Sequence, residues 1–167
     1  DLIQLANHHP RVNILQPGTG VGGHCIAVDP WFIVSEDPKN SRLIKTARLV
    51  NDEKPEWVVN RIKATAEHKN IKKIACLGLA FKPDIDDLRE SPAVKVVESL
   101  LEQGYDVSCV EPNINDHTKY NLIDIKKAIN EFEVIAVLVK HKEFTYADSK
   151  KIIQESNVLD FCGLFKG

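Results

Sequence analysis

The spacing of apolar positions in this chain changes character near residue 70. Before that point the period is helical. Leu43, Ala47, Val50, Trp57, Val58, Ile62 and Ala66 form one stripe through residues 42–68, with Ser41 placed as an N-cap. Pro55 interrupts the stripe, so the pattern predicts a kink or two helices, the second starting near Asn51 or Asp52. A helical stretch this long exceeds the usual length, and its stripe needs cover from its own domain or from a second copy of the chain.

After residue 70 short β-rich runs alternate with helical ones. Strands are predicted at 71–79, 106–111, 133–139 and 157–161, and helices at 123–130 and 146–155. A further helix starts at Ser91-Pro92, a good N-cap followed by a proline suited to the first turn. It has Ala93, Val97, Leu100 and Leu101 as its buried stripe and Gly104 as its stop. Alternation of this kind predicts an α/β fold with a Rossmann-like parallel sheet and right-handed crossovers. Ligands of such sheets bind beyond the carboxyl ends of the strands. The expected division is residues 1–69, ending a helical region, and residues 70–167, an α/β domain. The opening DLIQLANHHP reads as the last turns of an amphipathic helix, stopped before Pro10. With no methionine anywhere, the chain reads as a piece of a longer protein.

Candidate chemistry concentrates in residues 18–32, GTGVGGHCIAVDPWF. Glycines free the backbone to turn tightly and approach a ligand, and they lead directly to a thiol, Cys25, and a carboxylate, Asp29. Gly18, Gly20 and Gly23 also fit G-x-G-x-x-G, which requires a strand before it and a helix opening after it. The following Ile26 to Val34 is rich in β-formers and broken by Pro30, so no helix is expected there and the dinucleotide reading is set aside. Cys25 is then either a structural cysteine beside a loop or a nucleophile that carries an acyl group as a thioester. His24 is not expected to form a dyad with it, because neighbours in an extended segment point to opposite faces. His8 and His9 read as surface residues.

After the first predicted strand comes AFKPDIDDLRE. Lys82 is either a solvated charge or a phosphate or nucleoside contact, and Phe81 beside it offers an apolar wall to a ring. The acids Asp84, Asp86, Asp87 and Glu90 do not follow calcium-loop spacing, and some of them are expected to fix Arg89 or the lysine rather than hold a metal.

Composition changes little in this picture. At 167 residues, 43% apolar and 28% charged with net charge −2, the chain has no electrostatic case for nucleic acid or an anionic membrane. No apolar run approaches the ~20 residues of a membrane span, and the first residues do not resemble a signal peptide. Cys25, Cys76, Cys109 and Cys162 form no C-x-x-C pair, so zinc is not expected; reduced thiols in a cytoplasmic protein are.

Three segments in order, GTGVGGHCIAVDPWF, TARLVNDEKPEWVV and LGLAFKPDIDDLRESPAVKVVESL, resemble the UDP-glucose/GDP-mannose dehydrogenase family. The wording H-C-I-A-V-D-P-W-F is most similar to the branch acting on UDP-N-acetyl-D-mannosamine for surface polysaccharides. The resemblance covers essentially the whole chain. It implies the latter part of a longer enzyme: the end of a central dimerisation region, then a UDP-binding domain, with NAD held by an N-terminal domain upstream. It implies that Cys25 is the nucleophile of a four-electron oxidation at the sugar C6, and that Asp29 positions water or manages protons. Gly18, Gly20, Gly22 and Gly23 would wrap the UDP-sugar, Phe81, Lys82 and Arg89 would contact it, and Arg11 would reach a partner subunit's site. A homodimer through the 42–68 helix is implied as well. Two departures stand out. The family's catalytic lysine and asparagine are expected upstream, and Asp160 is followed by Phe161 and Cys162 where many members carry an arginine.

Overall fold

Four parallel strands, β1 (Lys73–Leu77), β2 (Asp106–Val110), β3 (Val134–Val137) and β4 (Val158–Asp160), pair in the order β2-β1-β3-β4. The computed structural model describes residues 2–11, 13–115, 119–146 and 158–165. Successive side chains enter opposite cores, as the pleat requires. Ile74, Cys76, Cys109, Val134 and Ala136 face one core, and Ala75, Leu77, Val110, Ile135 and Val137 the other. The first core is closed by α4 (Lys54–His68) and α5 (Pro92–Glu102), the second by α6 (Ile125–Glu131) and Phe144 of α7 (Lys142–Thr145). Cover on both faces is why these strands read as continuous apolar runs. The α/β fold with a Rossmann-like parallel sheet is the one observed. Its strand order reverses between β1 and β3, so the ligand crevice of this topology opens at their carboxyl ends.

The α5 signals work as read. Ser91 Oγ accepts from Val94 N–H and donates to the Leu79 carbonyl at 2.6 Å, and Gly104 takes φ +81°. Leu101, expected in the buried stripe, is exposed, and Val96 is buried in its place. A residue directly after Leu100 is rotated about 100° off its face. Of the helices expected late in the chain, the one at 146–155 falls from residue 147 onward outside the described residues, and α7 was not expected.

The 42–68 stretch is a bent pair, α3 (Arg42–Asp52) and α4, joined at Glu53. The second helix starts two residues later than expected because Pro55 sits in its first turn, where its missing N–H costs nothing. The stripe divides at the bend. Val58, Ile62 and Ala66 are buried in the sheet's core, whereas Leu43 is 82% exposed and Val50 63%.

One expectation is overturned. A helix does open after the glycines: α2 (Asp29–Glu36), with Pro30 in its first turn. Proline blocks a helix only beyond that turn, so the residue taken as a break is the start. The segment holding His24 and Cys25, read as extended, is instead a run of turns over residues 24–28, closed by Val28 N–H and Asp29 N–H on the Cys25 carbonyl at 2.9 and 2.8 Å. The dinucleotide context is still lacking, since residues 13–22 hold no strand.

Candidate functional site: the cysteine loop against the β1–α5 loop

The glycine loop is held from three sides. Thr19, almost fully buried, donates from Oγ1 to the Leu138 carbonyl beyond β3 at 3.3 Å. Asn51, near the end of α3, grips both backbone groups of Val21. Its Oδ1 accepts from Val21 N–H at 2.7 Å, and its Nδ2 donates to the Val21 carbonyl at 3.0 Å. Arg48, one turn earlier on the same helix, donates Nη1 to that carbonyl at 3.5 Å and pairs through Nη2 with Asp52 at 2.6 Å. Asn51→Ala removes both amide bonds. It is expected to cost ~1–3 kcal/mol, seen as a lower denaturation midpoint together with faster hydrogen exchange at the Val21 amide.

The third hold is steric. A Cβ on Gly22 would stand 2.1 Å from the Glu90 carbonyl oxygen and 2.6 Å from Pro92 Cδ; on Gly23, at φ +94°, it would stand 2.9 Å from the Phe81 ring. Gly22 and Gly23, expected to help wrap a ligand, let the two loops touch. Among the four loop glycines only Gly18 has open space where a Cβ would go.

This contact places Cys25 beside the loop after β1. Cys25 and His24 are exposed, and the His24 ring meets Phe81 edge-on with centroids 6.4 Å apart. The other thiols differ. Cys76 and Cys109 are buried, and burial pushes both up, Cys109 to about 12; Cys162, beside Asp160 and largely desolvated, also rises to about 12. Of the four cysteines Cys25 alone is exposed, so access sets it apart from the other three. Asp29 is exposed on the first turn of α2, one helical turn beyond Cys25 and tied to its carbonyl by the backbone bond described above.

On the facing loop Phe81 is half-buried, and Lys82 is exposed with Nζ 5.6 Å from the Phe81 ring centre. The acid that fixes Arg89 is Asp87. Arg89 Nε lies 3.0 Å from both carboxylate oxygens, Nη2 lies 2.6 Å from one, and the Arg89 backbone N–H donates to the same group. That clamp holds the Asp87 carboxyl down at about 2, and the Arg89 guanidinium, 68% exposed, lies within electrostatic reach of Cys25. A carboxyl so depressed stays ionised as pH falls through 3 and loses its partner only near 2. Carboxyl NMR of Asp87 is expected to show a midpoint near 2, rising toward the ordinary 3.8 in Arg89→Ala.

Arg11 is not brought to these loops. It lies exposed in the turn after α1 (Leu2–Ala6), where its backbone N–H donates to His9 Nδ1 at 3.3 Å. Near the end of the chain, Asp160 accepts from the backbone N–H groups of Cys162, Leu164 and Phe165 and so organises the turn after β4. Asp84, His141 and Glu143 bring ligand atoms within 4.8 Å of one another, but His141 Nδ1 already accepts from Asp84 N–H and Asn113 Nδ2, both at 3.0 Å. No imidazole lone pair is left for a metal. Asn51, Glu111 and His141 were not singled out in the sequence. Glu111 alone carried a usable signal there, as an acid directly after a strand.

Residues 75–167 match the UDP binding domain of the UDP-glucose/GDP-mannose dehydrogenase family, and residues 1–53 match that family's central domain. A UDP-N-acetyl-D-mannosamine dehydrogenase of Campylobacter jejuni is 56% identical over 92% of this chain and 40% of its own length. An NDP-N-acetyl-D-galactosaminuronic acid dehydrogenase of Ralstonia nicotianae is 46% identical over 99% of this chain and 40% of its own length. Among solved structures, a UDP-D-ManNAc dehydrogenase from Pyrococcus horikoshii superposes with TM-score 0.78 at 32% identity, covering 99% of this chain and 40% of that one. The chain thus spans about two fifths of the length of the relatives it matches.

Proposed function

The chain belongs to the UDP-glucose/GDP-mannose dehydrogenase family, and from that premise we propose that it is the C-terminal part of an NAD-dependent UDP-N-acetyl-D-mannosamine 6-dehydrogenase serving surface polysaccharide synthesis. The observation that carries this reading is the junction of two loops. Gly22 and Gly23 pack against the strand-end loop that presents Phe81, Lys82 and Arg89, and the exposed thiol of Cys25 follows two residues later. Strand ends are where a sheet of this topology takes its ligand.

On this reading Phe81 supplies an apolar wall for a ring, and Lys82 and Arg89 supply cations for the diphosphate. Cys25 then works on the sugar C6. Its thiolate adds to the aldehyde carbon to give a thiohemiacetal, carries the acyl group as a thioester after the second oxidation, and is released when water cleaves the C–S bond to leave the carboxylate. Asp29 holds that water or takes its proton. Among the described residues the loop glycines follow no strand, and Gly20, Gly22 and Gly23 pack against protein, so they are assigned no dinucleotide. The two hydrides of the four-electron oxidation would go to two NAD in turn, and their binding is assigned to residues outside this chain.

The division at residues 69 and 70, a cytoplasmic location and a homodimer belong to the same reading. The exposed apolar residues Leu43, Leu49 and Val50 of α3 are suited to a second copy. No helix among the described residues is long and apolar enough to cross a membrane.

The test is the full-length enzyme offered UDP-N-acetylmannosamine, UDP-N-acetylglucosamine and UDP-glucose in turn. Two NADH per UDP-N-acetylmannosamine are expected, with kcat/KM for the other sugars lower by at least ~10-fold. One NADH per sugar would remove the thioester route, and a preference for another sugar would remove the substrate assignment.

A further inference from the structure

The carboxyl ends of β1, β2 and β3 meet at a buried carboxylate–imidazole pair that the chemistry above does not use. Glu111 directly follows β2, where dinucleotide-binding sheets keep an acid for a ribose hydroxyl. Here its side chain is fully buried and turned inward. Oε2 accepts from Leu79 N–H at 2.7 Å and Ala80 N–H at 3.1 Å, and it lies 3.1 Å from His141 Nε2; Oε1 accepts from Asn113 N–H at 3.1 Å. The first two donors follow Gly78 at the end of β1, the turn that in such sheets faces a ligand's phosphates. In this protein an internal carboxylate occupies them.

Burial works to raise the Glu111 carboxyl. The hydrogen bonds from His141 and from the Leu79 and Asn113 backbones outweigh it and hold the group below the usual range, so the carboxylate form is kept. The imidazole, also fully buried, extends the tie outward. A backbone N–H only donates, so the Asp84 N–H at 3.0 Å fixes Nδ1 as the acceptor and Nε2–H as the donor to Glu111. Asp84 sits at φ +62°, unfavourable for a residue with a side chain, and its carboxylate accepts from Lys142 N–H at 2.8 Å. Two bonds to the segment after β3 therefore hold a strained residue two positions beyond Lys82.

We infer that His141, oriented by Glu111, is the positioning residue of the nucleotide site: by accepting from Asp84 N–H it sets the path of residues 79–84 and hence where Phe81 and Lys82 meet the UDP. This inference rests on the proposal that the β1–α5 loop binds UDP. His141 touches no substrate atom in this scheme; it acts through the Asp84 backbone.

Two substitutions separate its two nitrogens. In His141→Asn the amide reaches the Nδ1 position, keeping an acceptor for Asp84 N–H and losing the link to Glu111. In His141→Gln the amide reaches the Nε2 position and does the reverse. UDP affinity of the chain is measured by calorimetry, alongside thermal unfolding of each variant. His141→Gln is expected to weaken UDP binding about ten-fold or more and His141→Asn less than about three-fold, while their melting temperatures fall by similar amounts. If His141→Gln does not fold, hydrogen exchange in the unsubstituted chain decides. The Asp84 amide is expected to be protected to the level of the β1 amides, and rapid exchange there would refute the tie. UDP affinities that fall equally in both variants, in step with stability, would reduce His141 to a structural role. Failure of the unsubstituted chain to bind UDP would instead overturn the reading of the site.

Discussion

Cys25→Ser in the full-length enzyme is expected to lower carboxylate formation by at least ~10³-fold, because an alcohol at that position neither traps the aldehyde efficiently nor leaves readily from an acyl group. The expectation rests on access. Cys25 is exposed at the junction of the two loops, whereas burial pushes Cys109 and Cys162 to about 12 and raises Cys76 further from reactivity. None of those three is positioned to substitute for it. UDP affinity should change less than about two-fold, since the thiol is assigned no part in holding the nucleotide. Stopped-flow NADH formation and UDP calorimetry on the same variant separate the two effects. Turnover that survives the substitution would take the nucleophile role from Cys25.

Gly22→Ala has the second largest expected effect, and its origin is geometric. The added Cβ would lie 2.1 Å from the Glu90 carbonyl oxygen, a backbone atom that cannot rotate away, and 2.6 Å from Pro92 Cδ. One loop must therefore withdraw from the other. A stability loss of roughly 1–3 kcal/mol is expected from the overpacking. A drop of about 10²-fold in kcat is expected from misplacing Cys25, three residues away. Gly18→Ala is the control: nothing lies within 4 Å of its Cβ position, so its stability should stay within about 0.5 kcal/mol. Denaturant unfolding of the pair reads the difference directly, and equal losses at both positions would contradict a packed Gly22.

The sheet and its helices were legible because their signals are local. Ser91 followed by Pro92 announces α5 through a cap and a preset φ, and the strands are apolar because both faces are covered. Pro30 was misread although it does the same thing as Pro92. The residue before α2 is Val28, which offers no side-chain cap, so nothing in the sequence distinguished a starting proline from a breaking one. The bend at Glu53 was anticipated from Pro55 to within two residues.

The site was legible in part. Cys25, Phe81 and Arg89 were picked out from loop context and family wording, and the structure places them around one junction. The loop contact made through Gly22 and Gly23 was not legible. Their crowding partners, Phe81 and Glu90 to Pro92, are remote in sequence, and a glycine that permits contact reads the same as one that permits motion. Glu111 and His141 escaped for the same reason. Each is unremarkable in its own segment, and only the β2-β1-β3 order brings the two strand ends together.

On the proposed function, the cysteine loop and the loop after β1 form one UDP-sugar site. Backbone NMR of this chain titrated with UDP tests it most directly. Saturable shifts are expected, concentrated at Phe81 to Arg89 and carried across the contact to Gly22, Gly23 and Cys25, with the amides of α6 unmoved. Shifts confined to α6, or no saturable binding at millimolar UDP, would contradict it.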